Sequence, residues 1–272
     1  MKTYIGVALA AALLLPAAAH AQAGKPFVEA RGSVKSVPLP PGGPTPRMSD
    51  GHPDLSGVWF AGPTGKANNW SVDPESPVKE DPIPWQPWAE AKRKAMTRVD
   101  LELTSVAVNC GPVGTPGMFS ENAYAHLIST KPGQFIHLIE RNNRWHVVHT
   151  DGRPHKPVEE LEPLFYGDQT ARWEGDTLVI DSISIDERSQ IEDGWFHSDQ
   201  LHVIERLRRP SKNYLEYQFT IEDPKVLVKP WTSAWRTFTL SANDEDLFES
   251  FCTNNENPGQ LEKLNEIEKT RK

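Results

Sequence analysis

The chain reads as an all-β protein, an antiparallel meander closed into a barrel or a strongly curved sheet and preceded by a Pro-rich arm. Three observations predict this. From Ala123 onward, apolar runs rich in Val, Ile, Tyr, Phe and Trp alternate with turn signals. Those signals are Pro132-Gly133, Asn142-Asn143, Glu174-Gly175 and the longer Pro210-Ser211-Lys212-Asn213, each between strand-like segments. Only Trp88 to Thr97, "WAEAKRKAMT", reads as a helix. Adding Gly57–Phe60, the run "TSAWRTFTL" and the final "DLFESFC" gives about nine or ten strands, enough to close a barrel.

Residues 1–23 read as a secretory leader. Lys2 precedes the short apolar run "YIGVALAAALLLPAAA", and small-residue cleavage candidates follow at Ala19-His20-Ala21 or Ala21-Gln22-Ala23. The run is too short for a membrane span, so no integral membrane segment is expected after its removal, and the destination is the periplasm or the exterior. Removal takes Lys2 and no acid from 29 basic and 37 acidic residues, leaving a net charge of −9. An acidic exported protein is a poor partner for nucleic acid, so a small molecule is the expected partner. Oligomeric state is not legible.

Residues 24–54 contain "SVPLPPGGPTPR", too rich in Pro and Gly for a helix or central strand, and form an extended arm. Residues 55–256 form a single barrel-like domain, with a Pro/Trp-rich insertion at 63–98 whose Trp70, Trp85 and Trp88 should anchor it to the body. Residues 257–272 are a polar tail. In an oxidising destination Cys110 and Cys252 are expected to form a disulfide, and nothing nearby in sequence would activate either as a catalytic thiol. The Gly57-x-Trp59 start also looks like the opening strand of lipocalin-type barrels, so the barrel is expected to be lipocalin-like.

Two-residue turns fix register and so nominate neighbours. A loop at Pro132-Gly133 sets Ile139 opposite His126 and His137 opposite Ile128. A loop at Asn142-Asn143 sets Arg141 opposite Arg144, Ile139 opposite His146 and His137 opposite Val148. One face then carries His126, His137 and His146, three imidazoles that could bind a ligand or converge on zinc or copper; the competing reading is ordinary hydrogen bonding beside the core. His149 falls on the other face and His155 sits in a turn, and both read as bystanders. A loop at Glu174-Gly175 sets Asp168 opposite Asp181, a like-charge pair suited to shuttling a proton.

The segment "HSDQLHVIERLRR", His197 to Arg209, carries the densest chemistry. A four-residue loop over Pro210–Asn213 sets Arg209 opposite Tyr214, which places His202, Arg206 and Tyr217 on one face with Ile204, Leu215, Phe219 and Ile221. That face reads as the interior. His202 can exchange a proton near neutral pH, Arg206 can hold a carboxylate or developing oxyanion, and Tyr217 can donate without adding charge. Asp181 is a candidate partner, and His197 with Asp199 stands where a substrate would enter. The alternative is that Arg206 pairs with Asp181 or Asp168 purely as structure.

The blocks "DGHPDLSGVW", "CGPVGTPGM", "TDGRPH", "RWEGDTLVIDS", "HSDQLHVIERLRR" and "IEDPKVLVKPW" resemble, in this order, a family of exported β-rich bacterial proteins over roughly Asp50 to Cys252. The resemblance implies export and a β-rich fold, and it carries no reaction.

The sequence holds no Gly-rich phosphate loop, no G-x-S-x-G elbow, no H-E-x-x-H and no two-cysteine metal pair. With proton-transfer groups and an anion holder but no recognisable nucleophile, the expected function is a lyase, isomerase or hydratase step on a small aromatic or oxygenated compound. The alternatives are a lipocalin-like ligand carrier without catalysis, a His-rich metal-binding barrel, or a surface module with no deep cavity.

Overall fold

The structure, a computed structural model, describes residues 41–61, 80–97, 99–101, 110–120, 125–191, 194–241, 247–251 and 269. The expected leader, most of the arm, Trp70 and Cys252 lie outside them, and with Cys252 the expected disulfide. All described residues belong to the unit spanning Val34–Lys272.

Among the described residues, ten antiparallel strands form one nearly closed, barrel-shaped sheet: β1 Gly57–Ala61, β2 His126–Lys131, β3 Gln134–Ile139, β4 Arg144–His149, β5 Asp168–Glu174, β6 Thr177–Ile183, β7 His202–Ser211, β8 Tyr214–Glu222, β9 Trp231–Thr232 and β10 Arg236–Leu240. The order is β4-β3-β2-β1-β10-β8-β7-β6-β5, with β9 pairing β8 off that path. "DLFESFC" is not a strand over its described residues 247–251, and β9 supplies a strand that the turn pattern did not announce. The helix α1 (Pro87–Ala95) starts on a proline, whose missing N–H has no intrahelical partner to lose at that position, and buries Ala89. Among the described residues no helix is long and apolar enough to cross a membrane.

Alternation along each strand sends one set of side chains inward. Trp59, Phe135, Leu215, Phe219 and Phe238 are fully buried. Met118 and Phe119, from the segment before β2, add to this interior, and Phe119 stacks on Tyr217 at 4.1 Å and on His137 at 4.3 Å. Side chains from strands and from this inserted segment thus occupy the space in which a lipocalin-like carrier would hold its guest. The tryptophan anchors behave as expected where they are described: Trp85 meets Trp195 edge-on at 5.5 Å, and Trp88 Nε1 donates to the Lys225 carbonyl at 3.0 Å.

Three hairpins decide which polar groups meet. The Pro132-Gly133 hairpin has the expected register, with His126 opposite Ile139 and His137 opposite Ile128. The next loop is two residues longer than expected, so Ile139 faces Arg144 and His137 faces His146. The loop after β5 is Gly175-Asp176, with Gly175 at φ 62°, so Asp168 faces Ile183 and Asp181 faces Thr170. Both shifts are even and leave every side chain on its expected face.

The β7–β8 hairpin differs in kind. Ser211 pairs with Tyr214 around the tight turn Lys212-Asn213, but the next pair is Arg208 with Glu216, so Arg209 and Pro210 together oppose Leu215 alone. This is a β-bulge, and a proline with no N–H to give the ladder suits it. One extra residue turns the rest of β7 over: Val203, Glu205, Leu207 and Arg209 are buried, whereas His202, Ile204 and Arg206 are only partly covered. The expected grouping of His202 and Arg206 with Tyr217 is therefore wrong. Tyr217 faces Leu207 and lies inside with Glu205.

Candidate functional site

The outer face of β5–β8 carries a continuous row of ionisable groups. His202 faces Glu222 across β7–β8, and its Nδ1 lies 3.0 Å from Glu222 Oε2. Its Nε2 lies 2.9 Å from Asp181 Oδ1 on β6. The same oxygen is 2.9 Å from His155 Nε2, and His155 Nδ1 is 2.8 Å from Asp168 Oδ2 on β5. The order Asp168–His155–Asp181–His202–Glu222 alternates carboxyl and imidazole throughout. Sequence register expected Asp168 and Asp181 to repel each other directly; an imidazole stands between them instead.

That imidazole is His155, which reads as a bystander in the sequence. Its position follows from the turn before it: Arg153 clasps Asp151 at 2.6 Å, Gly152 at φ 72° donates to the Ala171 carbonyl at 3.0 Å, and Pro154 stiffens the exit. The turn thus lays His155 over β5. The signal was present in "TDGRPH", but strand pairing cannot place a loop residue.

The contacts limit where the protons of the row can lie. A neutral imidazole donates from one nitrogen only, whereas here both nitrogens of both rings face carboxyl oxygens. Each of the four contacts needs one proton, so every neutral ring must be matched by one protonated carboxyl. The Asp181 carboxylate, with Glu222 adding to it and burial opposing, holds His202 above its ordinary range. Burial pushes the Asp181 carboxyl up, but the bonds and charges from His202 and His155 outweigh it and leave it below the usual carboxylate range. The row is neither sealed nor fully wet, since His155 is 22% and His202 29% exposed by side chain. Such a row can hold a proton and release it.

Both ends open into clefts. Glu222 lines one of about 310 Å³ with Gln86, Pro224, Leu227, Val228 and Lys229. Asp168 lines another of about 290 Å³ with Lys156, Glu160, Glu162 and Leu164. Arg206 shares the outer face, where its Nη1 reaches Thr220 Oγ1 at 3.5 Å. As it stands four residues from His202 on one strand, about 13 Å separates their backbones.

The inner face holds two further polar groups. His126 Nδ1 meets His137 Nε2 at 3.0 Å, His137 Nδ1 meets His146 Nε2 at 3.4 Å, and His146 Nδ1 meets Gln169 Oε1 at 2.7 Å, while Gln169 Nε2 donates to Ser182 Oγ at 3.0 Å. The three imidazoles share the inner face as expected but stand in series. They do not converge on zinc or copper, and no group of three or more His, Cys, Asp or Glu among the described residues is arranged for a metal ion. Because Gln169 Oε1 only accepts, His146 carries its proton on Nδ1, and the same assignment passes back along the series. Burial, and then the neighbouring imidazoles, hold His137 well below its ordinary value, and burial lowers His146 to about 4. The row crosses from β4 to β5 and so links the two ends of the strand order.

The second inner group centres on Glu205, which accepts from Thr115 Oγ1 at 2.5 Å and Tyr217 Oη at 2.6 Å. Burial raises the Glu205 carboxyl despite both bonds, and burial with Glu205 alongside raises Tyr217 well above a free phenol. His197, expected at a substrate entrance, is buried in the loop before β7. Its Nδ1 donates to the Ser198 carbonyl at 2.9 Å and its Nε2 meets Ser189 Oγ at 2.8 Å. Asp199 pairs with Lys225 at 2.5 Å.

Comparison of the chain with protein-family models, with curated proteins and with solved structures returned no match.

Proposed function

We propose that the protein is an exported acid–base enzyme for a small organic compound, of lyase, isomerase or hydratase type, whose chemistry lies on the outer row from Asp168 to Glu222 rather than inside the barrel. One observation carries this reading: both nitrogens of His155 and of His202 face carboxyl oxygens in a partly open setting. A surface histidine needs no such arrangement to be stable. An imidazole that must take and return a proton benefits from carboxylates that fix its orientation and stabilise its charged form. Export rests on the apolar leader after Lys2.

The test uses proton transfer itself. Protein in D2O is incubated with small carbonyl compounds, and loss of the proton signal beside the carbonyl is followed by NMR. Asp181→Asn removes the charge shared by both rings and should lower exchange by about 100-fold or more, in line with the usual weight of general acid–base groups. Unchanged exchange in a folded Asp181→Asn protein contradicts the reading.

A further inference from the structure

The two clefts at the ends of the row differ in chemistry, and the difference assigns them different work. Pro224, Leu227, Val228 and Pro230 give the Glu222 cleft an apolar wall, with Lys229 as its cation. The Asp168 cleft is bordered by Lys156, Glu160 and Glu162, with Leu161 and Leu164 between and beside them. An organic guest gains affinity from apolar surface that it can cover, with a few polar groups fixing its orientation. The Asp168 cleft offers mostly charged groups that water already satisfies.

Glu222 is placed to act on such a guest. His202 holds Oε2 at 3.0 Å, while Oε1 makes no hydrogen bond among the described residues. The side chain is 41% exposed, open enough to be reached from the cleft. Lys229 is exposed on the same wall, and its ammonium is the donor there that can follow a ligand oxygen as it gains charge.

We propose that the cleft at Glu222 binds a small carbonyl compound with an apolar body, with Glu222 as the base that takes the proton from the carbon beside the carbonyl. This rests on the acid–base reading above and names its substrate class and site. In the step, the C–H electron pair becomes the new C=C bond and the carbonyl π pair moves onto oxygen, where the Lys229 ammonium meets it. The proton now on Glu222 returns to the same carbon, exchanges with water, or is delivered to another carbon of a conjugated substrate to give an isomer. Nothing is oxidised or reduced, and no group is lost.

The probes are cyclohexanone and acetophenone, with cyclohexanol as a non-carbonyl control. Binding is read by saturation-transfer NMR and exchange by loss of the proton signal in D2O. Val228→Arg fills the apolar cleft from an exposed position, and Leu164→Arg does the same for the other cleft, so neither disturbs the core. The expected result is that both ketones bind and exchange. Val228→Arg abolishes both signals and Leu164→Arg spares both, while Glu222→Gln retains binding but lowers exchange by about 100-fold or more. Exchange that survives Val228→Arg but falls in Leu164→Arg overturns the cleft assignment and leaves the acid–base row standing. Binding without exchange in the native protein overturns Glu222 as the base, together with the acid–base reading. If neither ketone binds nor exchanges, or cyclohexanol binds as well as they do, the substrate class is wrong.

Discussion

Glu205 and His202 stand three residues apart on one strand and show how facing decides what an ionisable group can do. Glu205 is sealed between Thr115 and Tyr217, with no route to a ligand, whereas His202 is partly open and braced on both nitrogens. Removing a donor from the sealed carboxyl is therefore a matter of stability. Tyr217→Phe should cost about 1–3 kcal/mol, the usual penalty for leaving a buried polar group short of a partner, with proton exchange unchanged. Urea unfolding beside the exchange assay checks it. A Tyr217→Phe protein that is fully stable but inactive would place the chemistry inside. Arg206 has a different weight on the outer face than the sequence suggested. It cannot act with Tyr217, and at about 13 Å from His202 along the strand it lies beyond the reach of a small guest in the Glu222 cleft. Arg206→Lys should therefore leave ketone binding and exchange unchanged, and a loss of either would draw Arg206 into the site.

At the scale of the element, the hairpins explain how far pattern reading carries. Apolar alternation and turn residues were enough to find the meander, the shared inner face of His126, His137 and His146, and the register at Pro132-Gly133. A loop two residues longer than expected after β3 and a turn displaced by one residue after β5 moved partners but not faces. The Arg209-Pro210 bulge did the opposite: one added residue reversed His202 and Arg206. A sequence shows a proline but not whether it ends the strand or sits within it at a bulge. His155 was missed for a related reason, since its place depends on the Asp151–Arg153 clasp rather than on any period. At the junction of β4 with β5, the two ends of the strand order, His146 and Gln169 meet at 2.7 Å. Gln169→Ala should destabilise the fold by about 1–3 kcal/mol and raise amide exchange first in β4 and β5. Uniform loosening of all strands would show that this contact does not hold the barrel's ends together.

For the whole molecule, the buried histidines set the pH dependence of stability. Burial lowers His137, His146 and His197, so the unfolded chain binds protons that the folded chain refuses. Their folded forms are at no disadvantage above about pH 6.5, the ordinary histidine value. Stability then falls as pH drops, with His146 resisting protonation until about pH 4. Each such histidine contributes a slope of up to about 1.4 kcal/mol per pH unit in that window. His202 works in the other direction: its contribution is present below the ordinary value and is lost as pH rises through its raised folded value. The expected profile falls steeply on the acid side of neutrality and gently on the alkaline side. Urea unfolding between pH 5 and 8 should show it, with His146→Gln flattening the acid limb; an acid limb unchanged by that substitution would remove the inner row from the account.

The proposed division puts function on the outer face of β5–β8 and leaves the inner polar groups to serve the fold. A matched pair separates the two faces: His202→Asn and Glu205→Gln, each measured for thermal unfolding and for ketone proton exchange in D2O. His202→Asn should lose about 100-fold or more of the exchange with a near-native unfolding temperature, whereas Glu205→Gln should lower the unfolding temperature and keep exchange in whatever protein remains folded. Glu205→Gln abolishing exchange in a stable protein, with His202→Asn silent, would contradict that division and return the chemistry to the barrel interior.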